Sequence, residues 1–173
     1  PKTVESEENV KTPLAAQTPP ATADNESMTI AAVGDIMLGS PFPNESRMPP
    51  NDGADNLKGV TPILEKADIA FGNLEGPLAD GGISEKCGTG RPNCYAFRMP
   101  THYGKYLKDA GFDVLSLANN HAADFGDAGR ESTRKTLDRL GIKHAGSDKY
   151  QFSTAFLQVK GKTVAFIGFA HNN

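Results

Sequence analysis

Short apolar runs bounded by turn residues recur along most of this chain. Met28 to Val33, Ile69 to Phe71 and Phe112 to Ala118 contain few polar residues and are too short for helices. Apolar runs of this length are typical of strands that are buried on both faces of a parallel sheet. Ile142 to Ala145 predicts a fourth, shorter strand.

Amphipathic stretches lie between the strands and predict three helices. These run from Thr61 to about Lys66, from Pro100 to Ala110 and from Asp127, as the capping residue, to Leu140. Gly111 and Gly141 follow the second and third helix, where glycine commonly ends a helix. Helical spacing predicts the side chains that face the core: Tyr103, Tyr106, Leu107 and Ala110 in the second helix, and Ala128, Leu137 and Leu140 in the third.

The last part of the chain predicts a β-hairpin. Ala155 to Val159 and Val164 to Phe169 are joined across Lys160-Gly161-Lys162. Strands that alternate with helices predict the α/β class, with a mostly parallel sheet. Two long loops, residues 40–58 and 79–98, interrupt this pattern, and loops of that length commonly carry function.

Composition divides the chain into two parts. Residues 1–27 contain no aromatic residue and are rich in Pro, Thr, Ser and Glu, which predicts a disordered linker. Residues 28–173 are long enough for one folded domain. A membrane-tethered exported protein would carry such a linker, and so would an expression tag. Because the hairpin would leave a sheet edge unpaired, we expect this domain to be incomplete at its C-terminus.

Charge and hydropathy exclude two classes of partner or location. The net charge is -3 and no basic cluster occurs, so nucleic acid is not an expected partner. No apolar run approaches the roughly 18 residues that a membrane-spanning helix requires.

The two cysteines lie on either side of a short loop. Cys87 and Cys94 flank the sequence GTGRPN, which is flexible enough for a disulfide to close it. A disulfide would fit an oxidising compartment, whereas two free thiols would fit the cytosol. A zinc site is disfavoured because no second Cys or His pair lies nearby at ligand spacing.

Polar side chains follow each of the three main strands. They are Asp35 after the first strand, Asn73 and Glu75 after the second, and Asn119, Asn120 and His121 after the third. Parallel strands bring their carboxyl ends to one edge of the sheet, where ligands bind in open α/β folds. We therefore expect these side chains to share one site.

The chemistry of these side chains suggests a metal. Four of them supply oxygen and imidazole ligands for a divalent cation: Asp35, Glu75, Asn120 and His121. This mixture favours Mn or Fe, with Zn or Mg as alternatives. His121 has a second interpretation as a general acid and a third as a hydrogen-bonded structural residue. Asn73 and Asn119 are expected to contact substrate.

Three motifs resemble the bacterial capsule-synthesis CapA family. They are GDIMLG at residues 34–39, GNLEGPL at 72–78 and SLANNHAADFG at 116–126. That family is associated with poly-γ-glutamate and is related to calcineurin-like metallophosphoesterases. The resemblance implies a metallophosphatase-like layered α/β sandwich, of which this chain is the N-terminal part. It also implies an extracytoplasmic role in the export, anchoring or processing of poly-γ-glutamate.

The resemblance also implies residue roles. Asp35 matches the first metal-binding aspartate, and the pair Asn120-His121 matches the Asn-His pair of the phosphoesterases. Glu75, or else Asn73, stands where those enzymes have a bridging aspartate. The membrane synthase complex that makes the polymer is an implied partner.

Two departures from the phosphoesterase pattern leave the activity open. Met37 stands in place of a metal-binding histidine, and Asn73 lacks the charge of an aspartate. The ligand types at the strand ends favour a metal-dependent hydrolase or transferase acting on a phosphoester or on an amide of an acidic polymer. The departures favour a non-catalytic subunit that binds polymer or synthase, and a general exported phosphatase is the third hypothesis. His171 would be a further ligand if the C-terminal end folds over the site.

Overall fold

A computed structural model describes residues 27–84, 86–87, 94–146 and 153–170. The predicted linker, apart from Ser27, lies outside these ranges, and so does His171. No helix within the described ranges has both the length and the hydrophobicity needed to cross a bilayer.

Four parallel strands form the central sheet. They are β1 (Ile30–Ile36), β2 (Ile69–Leu74), β3 (Val114–Ser116) and β4 (Lys143–Ala145), and they lie side by side in that order. Every neighbouring pair in this sheet is parallel. The predicted α/β class with a mostly parallel sheet is therefore confirmed.

Both faces of the two central strands are buried. Ile69 and Val114 pack on one face, whereas the next residues along the chain, Ala70 and Leu115, pack in the cluster on the other face. All four side chains are fully buried. This two-sided burial explains why the strands appear in the sequence as apolar runs and not as an alternation of apolar and polar residues.

Three helices connect the strands. They are α1 (Thr61–Leu64), α2 (Tyr103–Asp109) and α3 (Gly126–Leu140), and a single 3-10 turn at Pro50–Gly53 lies in the long loop after β1. The predicted core face of α2 is confirmed, because Tyr103, Leu107 and Ala110 are buried and Tyr106 packs against them. Gly111 follows α2 with a φ of +92°, which glycine adopts readily.

The buried face of α3 contains Leu137, with Leu140 packed against the core, as predicted, but it extends further than predicted. Its buried residues are Gly129, Thr133, Thr136 and Leu137, whereas Ala128 is exposed. Thr133 tolerates burial because its hydroxyl has partners: Oγ1 donates to the Gly129 carbonyl at 2.8 Å and accepts the Leu78 amide at 2.9 Å. Hydrophobic spacing missed Gly129, Thr133 and Thr136 because small and hydroxylated residues carry little hydrophobic signal.

The start of α3 also differs from the prediction. Asp127 was expected to be the capping residue, but it lies in the first turn, and Phe125 occupies the capping position without a side-chain hydrogen bond. Asp127 still carries a negative charge near the positive end of the helix dipole, where it is favourable. The end of α3 is as predicted, with Gly141 in the left-handed conformation at a φ of +67°.

The predicted hairpin covers the face of the sheet opposite the helices. It consists of β5 (Thr154–Val159) and β6 (Lys162–Ile167), and the Phe166 ring stacks on Phe71 of β2 at 5.7 Å. The predicted three-residue loop is wrong, because Val159 pairs with Lys162 and leaves two residues in the turn. Both have a positive φ, as the common two-residue hairpin turn requires.

Asp68 ties the start of β1 to the turn of the hairpin. Its carboxylate accepts hydrogen bonds from the Thr29 amide at 2.8 Å, the Thr29 hydroxyl at 2.9 Å and Lys160 Nζ at 2.9 Å. The backbone hydrogen bond from Thr29 and the Lys160 ammonium lower the pKa of Asp68 to about 2. The carboxylate therefore stays charged until the pH falls well below that of an ordinary aspartate.

We expect Asp68→Asn to lower the free energy of unfolding at pH 7. We also expect the free energy of unfolding of the variant to fall less than that of wild type when the pH is lowered. The lowered pKa means that the carboxylate stabilises the fold above pH 4, and that this contribution is lost as the pH falls from about 4 toward 2. The gap between wild type and variant in urea unfolding should narrow over that window. Asp109→Asn, on the exposed side of α2, is the control. A gap that stays constant from pH 5 to pH 2 would contradict this account.

Candidate functional site

The carboxyl ends of β1, β2 and β3 meet at one edge of the sheet. Asp35 lies within β1, which extends three residues beyond its predicted end, and a register shift between Ala32 and Asp35 sets it opposite Asn73 of β2. Asn73 in turn lies opposite Ser116 of β3. Residues separated by about forty positions in the sequence thus become neighbours, as strand-end geometry predicts.

Asn73 holds the two carboxylates of this edge together. Its Nδ2 group donates to Asp35 Oδ1 at 2.7 Å and to Glu75 Oε2 at 2.9 Å. One amide group with two hydrogens thus serves both acidic side chains. The Asp35 side chain is exposed, whereas Glu75 keeps only 13% of its side chain accessible.

Asn119 connects this amide to the end of β3. The Asn119 Nδ2 group donates to Asn73 Oδ1 at 3.0 Å and to the Leu74 carbonyl at 2.9 Å. Its Oδ1 accepts the backbone N–H of His121 at 3.0 Å. All the polar atoms of the buried Asn119 side chain therefore have partners, and they position the turn that carries His121.

His121 lies between two acidic side chains. Nδ1 is 2.6 Å from Asp124 Oδ2, and Nε2 is 3.7 Å from Glu75 Oε1. A contact of 2.6 Å between a ring nitrogen and a carboxylate oxygen requires a proton, so Nδ1 carries it. Neutral His121 therefore has its lone pair on Nε2, on the side of Glu75. The Phe97 ring packs against the imidazole with the ring centres 4.3 Å apart.

Asp124 is the buried anchor of the histidine. Its side chain is fully buried and accepts hydrogen bonds from Lys86 Nζ at 2.6 Å and from the Phe97 amide at 2.7 Å, besides that from His121. Lys86 also donates to the Asn120 carbonyl at 3.0 Å. It lies 3.1 Å from His121 Nδ1, but both groups are donors, so Asp124 is what joins them.

A disulfide lies next to these contacts. Cys87 and Cys94 are bonded, with their Cα atoms 5.6 Å apart. Lys86 immediately precedes Cys87, and Phe97 follows Cys94 by three residues. The two flanks of the disulfide loop therefore both contact the His121–Asp124 pair.

The structure connects five of the six predicted site residues through side-chain contacts. Asp35, Asn73, Glu75, Asn119 and His121 form one chain of contacts. Asn120 is exposed, and its backbone carbonyl, not its side chain, contacts this cluster through Lys86. The predicted roles of all six in metal or substrate binding stay predictions.

Three further residues belong to this cluster and were missed from the sequence. They are Lys86, Phe97 and Asp124. Asp124 had a local signal, since it follows His121 by three residues within one turn and could reach back to the ring. Lys86 and Phe97 lie in a long loop whose path no local pattern specifies.

The donor atoms suit a divalent cation, but their arrangement does not. Asp35, Glu75 and His121 Nε2 offer oxygen and imidazole ligands. The NH₂ group of Asn73, however, stands between the two carboxylates. Among the residues that the structure describes, no three His, Cys, Asp or Glu side chains are placed to hold a metal ion. The arrangement therefore does not fit the predicted metal.

Comparison with known proteins gives consistent matches. Residues 29–173 match the family "Bacterial capsule synthesis protein PGA_cap". The chain is 32% identical to the capsule biosynthesis protein CapA of Bacillus anthracis over 152 residues, which are 84% of this chain and 35% of that protein. It is 30% identical to the PGA biosynthesis protein CapA of Bacillus subtilis strain 168 over 167 residues, which are 89% of this chain and 40% of that protein.

A match of similar strength comes from a third relative. The protein y4sH of Sinorhizobium fredii is 34% identical over 131 residues, which are 73% of this chain and 26% of that protein. The chain thus spans between 26% and 40% of the length of these relatives.

Proposed function

Because this chain belongs to the bacterial capsule synthesis family PGA_cap, we propose that it acts in the biosynthesis of a poly-γ-glutamate capsule. The parallel sheet with its flanking helices agrees with the metallophosphatase-like fold of that family. We further propose that the edge formed by β1, β2 and β3 is where the protein engages the polymer.

The observation that carries the proposal is the orientation of His121. A buried carboxylate, Asp124, holds Nδ1 at 2.6 Å and leaves Nε2 as the nitrogen that can exchange a proton with a ligand. An imidazole oriented in this way by a carboxylate is the usual arrangement of a general base. Phe97 packs on the ring and limits its rotation.

This geometry supports hydrolysis of the amide bond that links two glutamate units. Water adds to the amide carbonyl while its proton passes to His121 Nε2. The same proton then moves to the departing nitrogen, the carbon–nitrogen bond breaks, and a carboxylic acid and an amine are formed. Asp124 stabilises the imidazolium that exists between these two steps.

Electrostatics at this edge favour a second candidate, a non-catalytic subunit that acts in assembly or binds the polymer away from this edge. Poly-γ-glutamate carries a carboxylate on every unit, while Asp35 and Glu75 add negative charge at the same edge. No Lys or Arg within the described ranges pairs with either of them. Repulsion would then keep the polymer backbone away from Nε2. A phosphoester substrate would meet the same repulsion.

We also propose an extracytoplasmic location, close to the membrane synthase complex that makes the polymer. The disulfide between Cys87 and Cys94 supports this, since such bonds persist in oxidising compartments.

The test uses the full-length protein, purified with its disulfide intact and incubated with poly-γ-glutamate. Release of new amino groups should be measurable, and His121→Gln should slow it by about 100-fold or more, the usual contribution of a general base. His144→Gln is the matched control. His144 also pairs with an aspartate, Asp138, at 3.1 Å. That pair lies about 18 Å along α3 from the end of the helix near His121.

Two outcomes would contradict hydrolysis by His121. Binding of polymer without release of amino groups would favour the assembly subunit. Equal rates for wild type and His121→Gln would show that the amide chemistry does not use this histidine. If neither histidine variant released amino groups, a folding defect would be indicated, and circular dichroism would detect it.

A further inference from the structure

The Asn73 amide occupies the space between Asp35 and Glu75. Two carboxylates that face one another usually share a proton or a cation, because like charges at short range are unfavourable. Here the NH₂ group of Asn73 serves this purpose, at 2.7 Å from one carboxylate and 2.9 Å from the other. A divalent cation that bound both carboxylates would need the same space.

The surrounding hydrogen bonds determine which end of this amide faces the carboxylates. The side-chain amide of Asn119 cannot be flipped, because its Oδ1 accepts the backbone N–H of His121 and its Nδ2 donates to the Leu74 carbonyl. The same Asn119 Nδ2 group needs an acceptor on Asn73, which is Oδ1 at 3.0 Å. Two backbone groups thus fix both amides, and the NH₂ group of Asn73 must face Asp35 and Glu75.

Rotation of Asn73 to present its oxygen to a cation would be unfavourable. Its NH₂ group would then face the NH₂ group of Asn119, so two donors would be opposed and the buried Asn119 would lose a partner. A buried polar group that loses its hydrogen bond destabilises the fold. The native arrangement therefore resists the movement that would free a cation site.

We propose that Asn73 is the residue that keeps a divalent cation out of this edge, and that its replacement by aspartate admits one. The variant would present three carboxylates, at positions 35, 73 and 75, together with His121 Nε2. Oxygen ligands with one imidazole suit a hard or borderline cation such as Mn²⁺. The cation would also relieve the repulsion among the carboxylates.

The experiment titrates Mn²⁺ into the purified protein, followed by calorimetry and by the electron paramagnetic resonance signal of free Mn²⁺. We expect Asn73→Asp to bind Mn²⁺ at least tenfold more tightly than wild type and to gain thermal stability with the metal. Asn44→Asp is the matched control, since it adds the same charge at an exposed turn where the side-chain oxygen accepts the Ser46 amide. It should bind no better than wild type.

A second variant keeps the test decisive if Asn73→Asp fails to fold without metal. Asn73→Ser removes the NH₂ group without adding charge, and it should also bind Mn²⁺ more tightly than wild type, by a smaller factor. Wild-type affinity equal to that of both variants would overturn the proposal, and so would an equal gain in Asn44→Asp. Because the readout is metal binding, these outcomes are independent of whether the protein cleaves polymer.

Discussion

Replacement of Asp124 by alanine is expected to lower the free energy of unfolding by about 3–5 kcal/mol, the range measured when one partner of a buried ion pair is removed. The Asp124 side chain is fully buried and accepts hydrogen bonds from Lys86, His121 and the Phe97 amide. The alanine variant would leave these three donors without their acceptor. The effect should exceed that of an ordinary surface substitution several times over.

Urea unfolding of wild type and Asp124→Ala measures this effect at pH 7. Asp55→Ala is the control, because Asp55 is half exposed and pairs with Lys58 and Asn51 at the surface. Exposed pairs contribute about 1 kcal/mol or less. If both alanine variants lost the same small amount, Asp124 would not be the anchor of the site.

A second variant, Asp124→Asn, separates the structural role of Asp124 from its role in positioning His121. Asp124→Asn has a single side-chain oxygen. If that oxygen keeps the position of Oδ1 as the acceptor for Lys86, the NH₂ group takes the position of Oδ2 and faces Nδ1. We expect this variant to retain more stability than Asp124→Ala. The proton on His121 would then be free to move from Nδ1 to Nε2, which nuclear magnetic resonance of the imidazole nitrogens would detect.

Leu107→Ala is expected to lower the free energy of unfolding by about 2–5 kcal/mol, the usual result of removing a buried leucine side chain. Leu107 lies in α2, is fully buried and belongs to the cluster between the sheet and the helices. Alanine is at least as good a helix former, so the loss reports packing and the cavity left behind. The helix itself should persist in circular dichroism.

The matched control for Leu107 is Ile63→Ala in α1. Ile63 is 65% exposed, so its truncation should change the stability by no more than about 0.5 kcal/mol. Both variants are compared by urea unfolding, with the slope of the transition checked for equality. A loss below 1 kcal/mol for Leu107→Ala would mean that α2 does not pack on the sheet as described.

Much of the fold was predictable because its signals are local. The runs that form β2 and β3 are mostly apolar, as expected of buried strands. The glycines at positions 111 and 141 end their helices as expected. The side chains near the strand ends were predictable as a group for a geometric reason, since parallel strands deliver their carboxyl ends to one edge.

Hydrophobic spacing predicted Leu137 on the buried face of α3 but not the small and hydroxylated residues beside it. Gly129 and Thr133 are buried where the helix approaches the loop around Pro77 and Leu78. Close approach requires small side chains, and the Thr133 hydroxyl meets a backbone amide there. Such a face contains little hydrophobic signal, because its stability depends on partners that are remote in the sequence.

The roles within the site were decided by contacts between distant segments. Asn119 and Asn120 are equivalent in the sequence, yet Asn119 is buried because it meets the Leu74 carbonyl, while Asn120 is exposed. Lys86 and Asp124 are 38 residues apart and form an ion pair only because the disulfide loop returns to the site.

The sequence by itself determined the order of strands and helices and the edge at which polar side chains collect, because both follow from local hydrophobicity and from the direction of parallel strands. Only the tertiary structure decided how those side chains are used. The network of hydrogen bonds through Asn73 and Asn119 sets which atoms face the carboxylates, and Asp124 sets which nitrogen of His121 is available. These outcomes depend on orientation and on burial, which residue identity and spacing do not specify.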